Sequence, residues 1–177
     1  MVLNYNYKVF ILFFTFLLFP ILLFFVKIEK IDERKYFDVP LEEKIQDTLI
    51  DLCTEYEVDP VLILSVIKHE SEFKSNSVNK NNKNGSVDYG LMQINNINNE
   101  KLKYELEITD LLNPEQNIHA GIYMLSEYLK KYELHEALIC YNMGERKFKE
   151  LSAKGIKSTG YSRKVTEIMQ TIKYKDI

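Results

Sequence analysis

The segment Val61 to Phe73, introduced by Asp59 and Pro60, narrows the fold more than any other: its apolar residues recur at helical spacing and its start carries two N-terminal signals. Asp59 can cap the first turn, and Pro60 takes the first helical position, where its missing N–H is not needed. The spacing then sorts two carboxylates. Glu70 lies seven residues after Ile63, four after Val66 and three after Ile67, on the apolar stripe, whereas Glu72 follows Ser65 and Lys68 on the polar side. A carboxylate shielded from water on such a face has its charged form disfavoured and its pKa raised, which suits a general acid near neutral pH. Helix geometry alone equally accommodates a Glu70 that is exposed or salt-bridged at the helix end.

Downstream, a polar loop from Ser75 to Ser86, with Gly85 as its turn, gives way to Gly90-Leu91-Met92-Gln93-Ile94-Asn95. Read in order, Glu70-Ser71-x-Phe73, Gly90-Leu91-Met92-Gln93-Ile94, Asn113-Pro114-x-x-Asn117-Ile118-x-x-Gly121 and Tyr141-Asn142-x-Gly144 form a set of spaced blocks. Together they resemble the lytic transglycosylase domain of the soluble murein transglycosylase type, a relative of goose-type lysozyme, from Leu41 to Ile172. The Asn-rich loop ending in Val87-Asp88-Tyr89-Gly90 is most similar to the compact transglycosylases that accompany secretion and conjugation machines. The resemblance implies a mainly α, lysozyme-like helical domain with a small β-turn element around Asp88.

It also implies a chemistry: cleavage of the β-1,4 bond between N-acetylmuramic acid and N-acetylglucosamine without water, leaving 1,6-anhydro ends. Glu70 would act alone, first as acid and then as base. By the same resemblance Gln93 and Asn95 line the saccharide groove, and Asn79 stands where the family has a Ser that polarises the N-acetyl group. Tyr141 and Asn142 match the family's Tyr-Asn pair, and Tyr161 matches a late Tyr whose hydroxyl faces the catalytic Glu. Amides and phenols suit such a groove because they hydrogen-bond N-acetyl and hydroxyl groups while offering stacking surface. Gln93 is also readable as a turn-satisfying amide, Tyr161 as ordinary core packing and Asp88 as a turn residue. Two other functions stay open: hydrolysis, with Asp88 as a second carboxylate holding the attacking water, and a peptidoglycan-binding module without activity. The chain departs from the family pattern at Met143 and Cys140, where Ala is common, and at Asn95, where larger soluble enzymes often carry Met.

No cofactor or metal is expected. The loop lacks EF-hand spacing, and His69, His119 and His135 share no His-x-x-x-His pattern, so they read as helix-surface residues. Cys53 and Cys140 lie in predicted helices among apolar neighbours and read as buried free thiols, although two cysteines alone leave a disulfide open.

Val9 to Val26 is an uncharged run of 18 residues, nearly long enough to cross a bilayer core. No small-x-small cleavage site follows it, so a retained anchor is expected. The chain then divides into a tail (1–8), a transmembrane anchor (9–26), a juxtamembrane linker (27–39) and a catalytic domain (40–177). Lys27, Lys30, Arg34 and Lys35 after the span would favour a cytoplasmic domain by the positive-inside rule. Action on the cell wall requires the opposite, a single-pass protein of the bacterial inner (cell) membrane with its domain outside, and that is the expectation adopted. A formal net charge of −3 gives no footprint for nucleic acid, and an acidic wall polymer would need local positive charge. The expected partners are therefore peptidoglycan glycan strands, the membrane through the N-terminal helix, and a secretion, conjugation or phage apparatus.

Periodicity places further helices elsewhere. Pro40 opens one with Leu41, Ile45, Leu49, Leu52, Cys53 and Tyr56 inward; Lys101 to Glu107 forms a short one; Asn113 caps and Pro114 starts one that buries Ile118, Ile122, Leu125 and Leu129 and runs to Tyr132, with Gly121 permitting close helix packing. His135 to Met143 is closed by Gly144, and Tyr161 to Tyr174 turns Val165, Ile168, Met169 and Ile172 inward.

Overall fold

The computed structural model describes residues 34–176, and the chain there is mainly helical. Helices α1 (Glu43–Glu55) and α2 (Pro60–Ser71) precede three short strands, β1 (Val78–Asn79), β2 (Asp88–Tyr89) and β3 (Ile94–Asn95). Helices α3 (Asn99–Leu106), α4 (Pro114–Leu129), α5 (Leu134–Met143), α6 (Glu145–Ser152) and α7 (Gly160–Met169) follow. The strands form an antiparallel sheet in the order β1-β2-β3, with Val78 opposite Tyr89 and Asp88 opposite Asn95. This is the expected mainly helical domain with a small β element at Asp88. The anchor expected at Val9–Val26, the tail before it and the linker up to residue 33 lie outside the described residues. Among the described residues no helix is long and apolar enough to cross a membrane.

Helix α2 starts as its sequence dictates: the Asp59 side chain accepts the Val61 N–H at 2.8 Å and Pro60 follows it. Leu62 to Ile67 are all buried, so α2 is a central helix enclosed on nearly every side rather than one with a single inward stripe. Ser65, expected on a polar face, is buried and returns its hydroxyl to the Val61 carbonyl at 2.7 Å. Only the last turn emerges. Glu72 ends it in a left-handed conformation, φ 52°, exposed and paired with Lys74 at 3.0 Å. Helix α7 packs along α2, while α4 packs against α1 and α5.

Several expected boundaries move, each for a local reason. The first helix begins at Glu43 rather than Pro40, because the buried amide of Gln46 ties down the preceding turn. Its Oε1 accepts the Phe37 N–H at 2.8 Å, and its Nε2 donates to the Phe37 and Leu41 carbonyls at 3.3 and 3.1 Å. Phe37 is buried, stacks on Tyr174 and pairs with it across an isolated bridge, so the last residues of the expected linker belong to the folded unit. The final helix stops at Met169, and the chain then turns to bring Tyr174 back to Phe37. Helix α4 ends at Leu129, short of Tyr132. Helix α6 has no counterpart among the helices expected from periodicity; Gly144, φ 80°, both ends α5 and begins α6. At Gly121 an added Cβ would come within 2.2 Å of Met92 Sδ, so α4 closes on the Gly90–Met92 loop and not on another helix.

Candidate active site

The sheet, the last turn of α2 and the end of α5 enclose a cleft of about 530 Å³. Glu70, Asp88, Gln93, Asn95, Tyr141 and Asn142 line it, together with Asn82, Lys83, Asn84 and Ser86 from the β1–β2 loop. Of the residues singled out in the sequence, Asn79 is not among the lining ones, and Tyr161 reaches the cleft only through Glu70.

Glu70 is half-buried, and burial pushes its carboxyl up from 4.5 to about 7. Tyr161 opposes that shift by donating its hydroxyl to Glu70 Oε1 at 2.7 Å, while the nearby Asp88 charge adds to it. A hydrogen bond to the charged form stabilises that form, so removing it favours the proton. Tyr161→Phe is therefore expected to raise the Glu70 pKa further. Titration of the Glu70 carboxyl carbon by NMR checks this, and an unchanged or lower midpoint would show that the phenol does not hold the charge. Tyr161 is held in turn: the His69 ring meets it edge-on at 4.8 Å between centroids. Burial and the neighbouring Lys164 hold the His69 pKa down. The other two histidines are half-buried rather than surface groups, His119 against Tyr56 Oη at 2.9 Å and His135 against Ser162 Oγ at 3.1 Å.

Asp88 sits in β2 with its carboxylate caged by amides. Asn79 Nδ2 and Asn82 Nδ2 donate to Oδ2 at 3.0 and 2.9 Å, and Asn95 Nδ2 donates to Oδ1 at 2.6 Å. These bonds occupy most of the acceptor positions of a carboxylate, about four in all. They also commit Asn79 and Asn95. The Asn95 oxygen accepts the Ile97 N–H at 3.1 Å, and its nitrogen also reaches Ser86 Oγ at 2.8 Å. Asn79 therefore serves to hold Asp88, with its oxygen taken by the Asn81 N–H at 3.1 Å.

The loop carrying Gln93 is fixed from beneath by Asn117, a member of the third sequence block whose position there does not reveal this task. Fully buried Asn117 accepts the Met92 N–H and donates to the Tyr89 and Leu111 carbonyls, each at 2.8 Å. Gly90 lies so close that a Cβ there would sit 2.4 Å from Asn117 Nδ2, at a φ of 75° that also favours glycine. Gln93 itself adopts φ 49°, and its Nε2 donates to the Gly90 carbonyl at 2.8 Å. A non-glycine residue held in this region at a cleft is stored local strain. Tyr141 donates its hydroxyl to the Met92 carbonyl at 2.9 Å, which stations its ring as a wall of the cleft. Cys53 and Cys140 are free, buried thiols whose pKa values burial raises to about 12 and about 11. Among the described residues no cluster of His, Cys, Asp and Glu could hold a metal ion.

A protonatable glutamate at the end of a buried helix, facing an amide-lined cleft beside a small antiparallel sheet, defines a lysozyme-like site. The chain belongs to the SLT transglycosylase family: the family model described as Transglycosylase SLT domain matches residues 48–160, more than half of it. Protein IpgF of Shigella flexneri is 34% identical over 93 residues, 50% of this chain and 60% of the relative. Protein IpgF of Shigella sonnei is similar to the same extent, so the chain spans about 60% of the length of these curated relatives. Among solved structures, an inactive mutant of lytic transglycosylase Slt from Pseudomonas aeruginosa superposes with a TM-score of 0.55 at 18% identity. That likeness is one of fold, and it covers 70% of this chain and 22% of the larger one.

Proposed function

We propose that the chain is a peptidoglycan lytic transglycosylase in which Glu70 is the single acid and base. The observation that carries this reading is the Glu70 carboxyl itself, on the cleft surface, bonded to Tyr161 at 2.7 Å and raised to about 7. Such a group holds a proton in a large fraction of molecules at neutral pH and can also give it up. With Oε1 occupied by Tyr161, Oε2 is left to carry the proton. Glu70 protonates the glycosidic oxygen as the bond from the muramoyl C1 to that oxygen breaks. The resulting carboxylate then takes the proton of the muramoyl C6 hydroxyl as O6 bonds to C1. The proton returns to Glu70, no water is consumed, and a 1,6-anhydro end forms.

The rival reading is a muramidase using Glu70 with Asp88, which lines the same cleft. The amide cage speaks against it, since an Asp88 whose oxygens already accept from Asn79, Asn82 and Asn95 has little capacity left to hold and activate a water. A binding module without activity has no use for a glutamate kept near its midpoint at neutral pH. Mass analysis of the fragments released from purified peptidoglycan separates the readings: anhydromuropeptides, lighter than hydrolysed ones by one water, are expected. Reducing ends alone would reject the lyase, and no release at all would favour the module.

The anchor at Val9–Val26, a position in the bacterial inner (cell) membrane with the domain outside, and service to a secretion, conjugation or phage apparatus complete the proposal. The anchor rests on the uncharged run in the sequence, the outward orientation on the need to reach the cell wall, and the last on the likeness of the Asn-rich loop to compact transglycosylases of such machines. A reporter active only outside the membrane, fused after Lys35, tests the orientation, and an inactive fusion would reverse it.

A further inference from the structure

An acidic polymer bound by a chain of net charge −3 needs a local cation, and the cleft holds one. Among the described residues that line it, Lys83 is the single cationic side chain, and the carboxylic residues Glu70 and Asp88 line the same cleft. Lys83 is exposed in the loop between β1 and β2, and its ammonium has no ion-pair or hydrogen-bond partner among the described residues. Its neighbours on both sides also line the cleft and are pinned. Asn82 Nδ2 donates to Asp88 Oδ2 at 2.9 Å, and Asn84 Oδ1 accepts from Ser86 N and Oγ at 3.1 and 2.7 Å. The Gly85 N–H closes the turn on the Asn82 carbonyl at 3.0 Å. The base of the loop is thus fixed to the Asp88 cage while the Lys83 side chain stays unsatisfied at its tip. Lys83 is also not among the groups that set the Glu70 titration, which are burial, Tyr161 and Asp88.

We infer that Lys83 forms a carboxylate-binding subsite of the cleft, which pairs with a carboxylate carried on the muramoyl side of the glycan. This rests on reading the cleft as a peptidoglycan groove. A flexible ammonium accepts such a group without the fixed fork geometry that an arginine imposes. The carboxylate has two sources: the peptide stem, or the lactyl group whose acid is freed when the stem is removed.

The test is calorimetric binding to the full chain carrying Glu70→Gln, so that the ligand survives, with and without Lys83→Gln. The probes are stem-bearing glycan oligomers, the same oligomers stripped of their stems, and chito-oligosaccharides, which carry no carboxylate. Lys83→Gln is expected to weaken binding of an acidic probe about 2- to 5-fold, the range of one exposed ion pair. The difference should shrink as salt rises, and Lys83→Arg should retain most of the affinity. Weakening confined to stem-bearing oligomers assigns the stem, and weakening on stripped oligomers assigns the lactyl acid. Equal affinity for both acidic probes in the two proteins, or an equal loss on the chito-oligosaccharides, would overturn the subsite. The readout is binding, so a chain that failed to cleave peptidoglycan would contradict the enzymatic reading and leave this result interpretable.

Discussion

Glu70→Gln is expected to lower the release of fragments from peptidoglycan by about 10²- to 10⁴-fold, the contribution of a positioned general acid. Glutamine keeps the shape and can still accept the Tyr161 hydroxyl, so the loss isolates the proton. In the wild type, kcat/KM should fall as pH rises past about 7, where Glu70 gives up its proton. The same shift makes a prediction about stability with a definite sign. The folded chain retains a proton between 4.5 and about 7 that the unfolded chain releases, so the wild type loses stability as pH rises through that window. Glutamine carries no such penalty. Glu70→Gln should thus be more stable than the wild type at pH 8, by about 1–3 kcal/mol, and close to it at pH 4. Urea titrations at the two pH values check this, and a variant that is less stable at pH 8 would contradict the burial of the acid.

Asn117→Ala is expected to cost about 3–6 kcal/mol, because it strands a buried N–H and two carbonyls at about 1–3 kcal/mol each and some relaxation follows. Against a typical total of about 5–15 kcal/mol this removes between about a fifth and all of the stability. Asn117 fails to substitute for a simple reason: its one amide accepts from Met92 and donates to Tyr89 and Leu111, which no apolar or single-sided polar side chain reproduces. Chemical denaturation followed by circular dichroism measures the effect. A loss under about 1 kcal/mol would mean that the Gly90–Gln93 loop does not depend on this anchor.

The sequence made the helices legible where capping and periodicity agreed. Asp59 with Pro60 and Asn113 with Pro114 start their helices where expected, each cap accepting a backbone N–H of the first turn. It was less informative where a buried polar side chain overrides local signals. Gln46 holds residues 37–41 in a turn and delays α1, and no periodicity encodes that bond. Ser65 looked like a polar-face marker, yet a serine that bonds its own helix carbonyl can be buried at little cost, so the stripe argument for Glu70 held only in its final turn. At the site, the blocks contain Glu70, Gln93, Tyr141 and Asn142, which line the cleft, and the family resemblance adds Tyr161, which meets Glu70, but the work of Asn79, Asn95 and Asn117 is tertiary. Their amides meet Asp88 or the loop backbone across many residues of sequence, and an asparagine that lines a groove reads the same as one that holds a carboxylate.

The most direct test of the central claim, that Glu70 is an acid poised near neutrality, is titration of its side-chain carboxyl carbon by NMR in the full chain. The signal is assigned by its disappearance in Glu70→Gln. A midpoint near 7 is the expected result, and a midpoint near 4.5 would contradict it.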